Sequence, residues 1–253
     1  MSLSLRPRSL ALCVVALPLL MAVSACDTAA EPVAEGTKPA ATEAAGPRAI
    51  DTPDCAPDGA RAVVAGTDDD PTIVVTLGEG AEGIVFAPQS GADHCQWADE
   101  LARYAGEGYR VASFAWSEDG AAAVEAAVDV LRGEGAEDVV LVGSSKGAGF
   151  VAGVADDLEP APAGVIALSP GVEIEGVDAT SANSAYTGPL LVIASETDGS
   201  IRASESRQVA RADDPSTYVE LPGGAHGVAI FTTDAGPQVI DQMDAFIAAA
   251  FAS

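Results

Sequence analysis

Three glycine-rich polar turns stand in the second half of this 253-residue chain, each directly after a short apolar run. They are GSSKG at 143–147 after DVVLV, ETDGS at 196–200 after LLVIAS, and GGAHG at 223–227 after YVELP. Apolar runs of this length without alternation are buried on both faces, as strands are inside a covered parallel sheet. Parallel strands end on the same side, so such a fold gathers the turns along one sheet edge, where open α/β folds place their ligands. Together the turns supply a serine, a carboxylate and a histidine, the set that converts an unreactive hydroxyl into a nucleophile.

The rest of the chain fits that frame. Strands are expected at 62–65, 72–76, 83–87, 110–116, 138–142, 164–168, 190–194 and 217–221. Helical periodicity covers 95–105, with Trp97, Leu101 and Tyr104 on one face, and 121–132, with Val124, Ala127, Val128 and Leu131 in register. Further helices are expected at 146–155, 205–211 and 237–251. Alternation of this kind predicts the α/β class, with a mostly parallel central sheet flanked by helices. The short connections before Gly83 predict antiparallel first strands. The interval 169–189 is rich in Gly, Ser and Asp with little helical pattern, which leaves no room for a large lid.

Each turn has a chemical reading. Ser145 lies between Gly143 and Gly147, where a strand turning sharply into a helix needs small residues two positions to either side. Its position at a helix N-terminus favours developing negative charge. Ser144 is a competing hydroxyl, but the glycine frame points to Ser145. Asp198 follows a strand end and is placed to orient a histidine; Glu196, two residues earlier, is the alternative. His226, flanked by glycines on a loop, suits a general base and then a general acid. His94 is its rival, read as a rim or structural residue. Two backbone N–H groups are needed to stabilise an oxyanion, one from Lys146 and the other from Gln89 or Ser90 in the loop after the third strand. The Lys146 side chain reads as solvated rather than as a base on its neighbour. Trp97, Trp116 and the loop at Ala185–Tyr186 are candidate substrate walls.

The ends and the charge add context. Arg6 and Arg8 precede an apolar stretch from Leu10 to Val23 that is too short to span a membrane and has the layout of a secretory signal. Val23-Ser24-Ala25-Cys26 resembles the lipobox of bacterial lipoproteins, in which the cysteine is lipidated and becomes the mature N-terminus; an ordinary cleaved signal is the alternative. Residues 26–49, made largely of Ala, Glu, Pro and Thr without an aromatic, read as a disordered tether spanning roughly 25 Å. The division expected is signal 1–25, tether 26–49 and folded domain 50–253, the whole anchored outside the cytoplasm on the bacterial cell membrane through Cys26. The formal charge is −26, and only Lys38 and Lys146 are lysines. Nucleic acid and anionic headgroups are thereby disfavoured as ligands. Cys55 and Cys95 remain as an even pair, expected as a disulfide in an exported domain, with two buried free thiols as the alternative. His94 and His226 are far apart and no metal-ligand spacing occurs, so neither a metal nor an organic cofactor is expected.

The motifs GSSKGA, SETDGSI and LPGGAHGV stand in the order found in the α/β-hydrolase family, and the chain from about residue 60 to 250 resembles its small lidless members similar to dienelactone hydrolase. The resemblance implies a Ser145–Asp198–His226 triad acting through an acyl-enzyme on a small-molecule carboxylic ester. Two departures stand out. Pro88-Gln89 replaces the His-Gly pair that many relatives carry after the third strand, and dienelactone hydrolases proper carry a cysteine nucleophile, so their substrate does not transfer.

Overall fold

The computed structural model describes residues 46–253; the expected signal segment, Cys26 and most of the expected tether lie outside the described residues. A nine-stranded sheet organises the domain. Its strands are β1 (Arg48–Ile50), β2 (Arg61–Gly66), β3 (Pro71–Leu77), β4 (Glu82–Ala87), β5 (Arg110–Ala115), β6 (Asp138–Ser144), β7 (Gly164–Leu168), β10 (Leu190–Ser195) and β11 (Tyr218–Leu221). The spatial order is β1-β2-β3-β5-β4-β6-β7-β10-β11. The first three strands and the β3–β5 pair are antiparallel, and every pairing from β5 to β11 is parallel. Both the parallel sheet and its antiparallel start match the reading of the sequence. The sheet begins earlier than that reading placed it, because Arg48 and Ala49 pair with Val64 and Val63.

Helices cover both faces, which is why the strands are apolar without alternation. α1 (Ala98–Gly106) and α6 (Gly236–Phe251) pack on one face through Leu101, Tyr104, Val239, Met243 and Ile247. α2 (Gly120–Gly133) and α3 (Lys146–Gly153) pack on the other through Val124, Val128, Leu131, Phe150 and Val151. Strand β6 divides its side chains accordingly, Val139 and Leu141 to the second core, Val140 and Val142 to the first. Helix α2 starts where Asp119 caps it, its carboxylate accepting from the amides of Ala121 and Ala122 at 3.0 and 3.1 Å.

The interval 169–189 holds a two-stranded hairpin, β8 (Glu173–Ile174) with β9 (Val177–Asp178), and the single-turn helix α4 (Ser181–Ser184). The hairpin lies against α3, Ile174 beside Gly149 and Val177 beside Gly153. It is a small flap rather than a lid domain. The expected helix at 205–211 is shorter and earlier, α5 (Ala203–Ser206). The residues expected at the start of α1 form instead a 3-10 turn, His94–Trp97, capped by Asp93.

Cys55 and Cys95 form a disulfide with Cα atoms 5.5 Å apart. It joins the loop between β1 and β2 to the turn that follows β4, and so ties the antiparallel end of the sheet to the loop beside the elbow, the sharp strand-to-helix turn at Gly143–Gly147. The two cysteines are 40 residues apart in sequence, a loop whose closure entropy is worth about 4 kcal/mol at most. The double variant Cys55→Ser/Cys95→Ser is therefore expected to lower the unfolding free energy by up to about 4 kcal/mol, measured by denaturant titration. A midpoint equal to the parent's would show that this loop is already constrained without the bond.

Candidate active site

The turn from β6 into α3 holds Ser145 at φ 52°, ψ −111°, a conformation that side chains rarely adopt. Such a residue costs of order 1–3 kcal/mol and persists only where its surroundings fix it. Here they do: its amide donates to the Leu168 carbonyl at 2.9 Å, and its carbonyl accepts from Gly149 N at 3.0 Å. The two framing glycines have a steric reason. A Cβ on Gly143 would strike the Gly147 backbone, and one on Gly147 would strike the Ala87 and Pro88 carbonyls. The turn is thus pressed between its own strand and the end of β4. Ser145 is half-buried, whereas Ser144 is fully buried, with its hydroxyl accepting from Val228 N at 3.1 Å.

Asp198 lies beyond the end of β10 with its side chain inaccessible. Its Oδ2 lies 2.7 Å from Nδ1 of His226, and its Oδ1 accepts from the amides of Ser200 and Ile201 at 2.8 and 3.3 Å. Burial pushes this carboxyl up, but the bonds from His226 and the two amides outweigh it and hold the group below its ordinary value. A carboxylate so held only accepts, so the bridging proton is assigned to His226 Nδ1, which leaves Nε2 as an acceptor. The depressed carboxyl also contributes to folding. Its contribution is present above the ordinary carboxylate range and is lost as pH falls through the lowered folded-state value. Glu196, the alternative acid, is exposed.

The histidine loop is joined to the acid loop by backbone bonds, Glu196 N to Leu221 O at 2.9 Å and Thr197 N to Gly223 O at 3.0 Å. His226 is itself extended, and Gly227 after it has φ +55°, with no space for a Cβ because Ser144 Oγ occupies it. Among the described residues no hydrogen bond joins Ser145 Oγ to His226. The two segments are joined close by, through the bond from Val228 N, two residues after His226, to Ser144 Oγ.

The two oxyanion candidates after β4 differ. The Gln89 amide donates to the side chain of Gln96 at 2.8 Å. Among the described residues, Ser90 N and Lys146 N have no intramolecular acceptor. The Lys146 side chain is not solvated as expected. Its Nζ meets Glu175 Oε1 at 2.7 Å and sits 4.7 Å from the centre of the Trp116 ring, with the side chain only 13% exposed. Glu175 forms the hairpin tip with φ 50°, so this ion pair latches the flap to α3, the helix that follows Ser145.

Other sequence candidates find different places. Trp97 is fully buried against Phe86, with ring centres 5.1 Å apart, and Tyr186 is buried with its hydroxyl on the Pro162 carbonyl. Neither is a substrate wall; of the named aromatics Trp116 alone remains half-buried beside Lys146. His94 is buried, and desolvation lowers its basicity against the opposing pull of Asp93. Cys55, His94 and Cys95 bring their ligand atoms within 4.8 Å of one another, but the disulfide engages both sulfurs, so this group does not make a metal-ligand set. Gln96 and the buried Ser169 and Ser195 escaped the reading of the sequence. The readable signal for the two serines was a polar residue closing an apolar run.

No protein-family model matches the chain, and no curated protein matches it. Solved structures do. The Pyrococcus furiosus esterase Pf2001 superposes with a TM-score of 0.61 at 14% identity, over 82% of this chain and 98% of that one. Est1E from Butyrivibrio proteoclasticus gives 0.61 at 14% identity, over 76% and 99%. The Paleococcus ferrophilus monoacylglycerol lipase gives 0.57 at 17% identity, over 70% and 98%. The chain therefore has the α/β-hydrolase fold.

Gly147→Ala is expected to displace the Ala87–Pro88 turn at a cost of about 1–3 kcal/mol, read as a lowered thermal midpoint. An unchanged midpoint would mean that the elbow and the β4 loop are not in tight contact.

Proposed function

We propose that this α/β-hydrolase-fold protein is a serine hydrolase that cleaves carboxylic esters of small or medium size through an acyl-enzyme. The observation that carries the reading is the buried Asp198 bonded at 2.7 Å to His226 Nδ1, on the sheet edge that also bears the strained Ser145. Ser145 Oγ attacks the ester carbonyl while His226 Nε2 takes its proton. The resulting oxyanion is met by the amides of Lys146 and Ser90, and His226 then returns the proton to the leaving alcohol. Water, deprotonated by the same nitrogen, releases the acid and restores the serine. Asp198 keeps the imidazole in the required tautomer and stabilises its cation without itself gaining a proton. That several proteins sharing the fold are described as esterases and lipases supports the choice of an ester over other acyl groups. Thioesters and peptides would use the same groups, and competition between ester and thioester substrates separates these cases.

A fluorophosphonate probe is expected to label the purified protein at Ser145, with labelling abolished in Ser145→Ala. Asp198→Asn is expected to lower kcat by about 10³–10⁴-fold while the protein still folds. A folded parent that is not labelled favours a non-catalytic binding platform, and a Ser145→Ala variant that keeps its esterase rate removes Ser145 as the nucleophile.

We further propose that Cys26 is lipidated and holds the domain at the outer side of the bacterial cell membrane, a reading supported by the Val23–Cys26 sequence after an apolar stretch. Cys26→Ser is expected to release the protein into the medium or leave it unprocessed. Membrane retention at the mature size would overturn the anchor.

A further inference from the structure

His226 leaves the sheet from its edge. Strand β11 lies three strand spacings from β6, a distance of about 14 Å, yet the histidine must work beside Ser145 at the end of β6. The loop that carries it therefore crosses the carboxyl ends of β10 and β7 on the way. Glycines at 223, 224 and 227 leave that crossing without intrinsic stiffness.

Three buried serines meet it. Ser195, the last residue of β10, donates its hydroxyl to the Ala225 carbonyl at 2.7 Å. Ser169, immediately after β7, accepts from Gly227 N at 3.1 Å. Ser144, the last residue of β6, accepts from Val228 N at 3.1 Å. They are 1%, 0% and 0% exposed. The strand register makes them a staircase: Ser144 pairs with Leu168, which pairs with Ile193, so Ser169 stands one residue beyond that row and Ser195 two. The loop descends the steps in order, with Ala225 over β10, Gly227 over β7 and Val228 over β6. The one residue in this span without a serine is His226, whose ring is held by Asp198.

We propose that Ser144, Ser169 and Ser195 are positioning residues that clasp the histidine loop on both sides of His226 and set its ring between Asp198 and Ser145. The proposal rests on the serine-hydrolase reading for its kinetic consequence, but not for its geometry. Buried backbone groups require partners in any fold. What distinguishes the clasp from simple satisfaction is that all three partners are side chains from successive strand ends, focused on residues within two positions of one functional group. Ser169 holds its place at φ 51°, a strained conformation for a serine. Gly227 has no space for a Cβ because of Ser144, so the clasp also explains why the residue after His226 is glycine.

The chain contains only two histidines, so ring NMR of the full-length protein reads the clasp directly, with His94 as an internal control. The parent is expected to show a downfield proton from the His226 Nδ1–H bound to Asp198. In Ser144→Ala/Ser169→Ala this signal is expected to broaden or vanish while the His94 signals stay. The kcat for an aryl acetate is expected to fall about ten- to a hundredfold, with KM changed by less than about twofold. An unmoved His226 signal together with an unchanged kcat would overturn the clasp. An inactive parent whose downfield signal still disappears in the double variant would keep the clasp and remove the esterase reading. An active parent with unaffected variants would do the reverse. Should the double variant fail to fold, Ser195→Ala, which loses a single bond to the Ala225 carbonyl, is read by the same two signals.

Discussion

The site depends on bringing a histidine from the edge of a sheet to the end of a strand three positions inward. A parallel sheet gathers strand ends on one side, but it also separates them by a fixed spacing of about 4.8 Å per strand. Ser145 and Asp198 are close to where they are needed, because β6 and β10 are separated only by β7. His226 is not. Its loop is joined to the acid loop by backbone bonds at Leu221 and Gly223, crosses two strand ends, and meets the elbow at Ser144. Position along this loop, more than the chemistry of any one residue, sets where the His226 ring stands relative to Asp198 and Ser145.

The elbow works under the opposite condition, with too little space rather than too much distance. Gly143 and Gly147 allow the end of β6, the start of α3 and the end of β4 to pack without side chains between them. The contact forces Ser145 to positive φ, and the Lys146 amide has no internal acceptor among the described residues. The same contact brings the Pro88–Ser90 loop against the elbow. Gln96 then bonds the Gln89 amide, whereas that of Ser90 has no acceptor among the described residues. The disulfide at the neighbouring Cys95 anchors the turn that carries Gln96, which connects the far antiparallel end of the sheet to this loop.

Electrostatics near the site are local despite a chain charge of −26. Asp198 stays ionised because two amides and the histidine satisfy it, which overcomes the cost of its burial. The only lysine in the folded domain is held against Glu175 and the face of Trp116. Its charge is thereby directed to the flap and not to the serine beside it. The sequence reading of Lys146 as a solvated residue failed for a simple reason: its partner lies 29 residues away on a hairpin too short to register as a pattern.

The amino-acid sequence by itself determined the alternation of strands and helices, the mostly parallel sheet, and the three turns that bear Ser145, Asp198 and His226. These are local properties, written in apolar runs, helical periodicity and glycine placement. The Cys55–Cys95 pair was legible from counting alone. Only the tertiary structure shows which of the alternative groups another part of the chain already engages: Ser144 is buried and bonded to Val228, Glu196 is exposed while Asp198 meets His226, and the Gln89 amide is taken by Gln96. It also removed Trp97 and Tyr186 from the substrate walls, since burial depends on what packs over a residue rather than on its own sequence. The three serines show the division most clearly. In sequence they are isolated polar residues at the ends of apolar runs. They become a connected support only when strand order and register set them side by side.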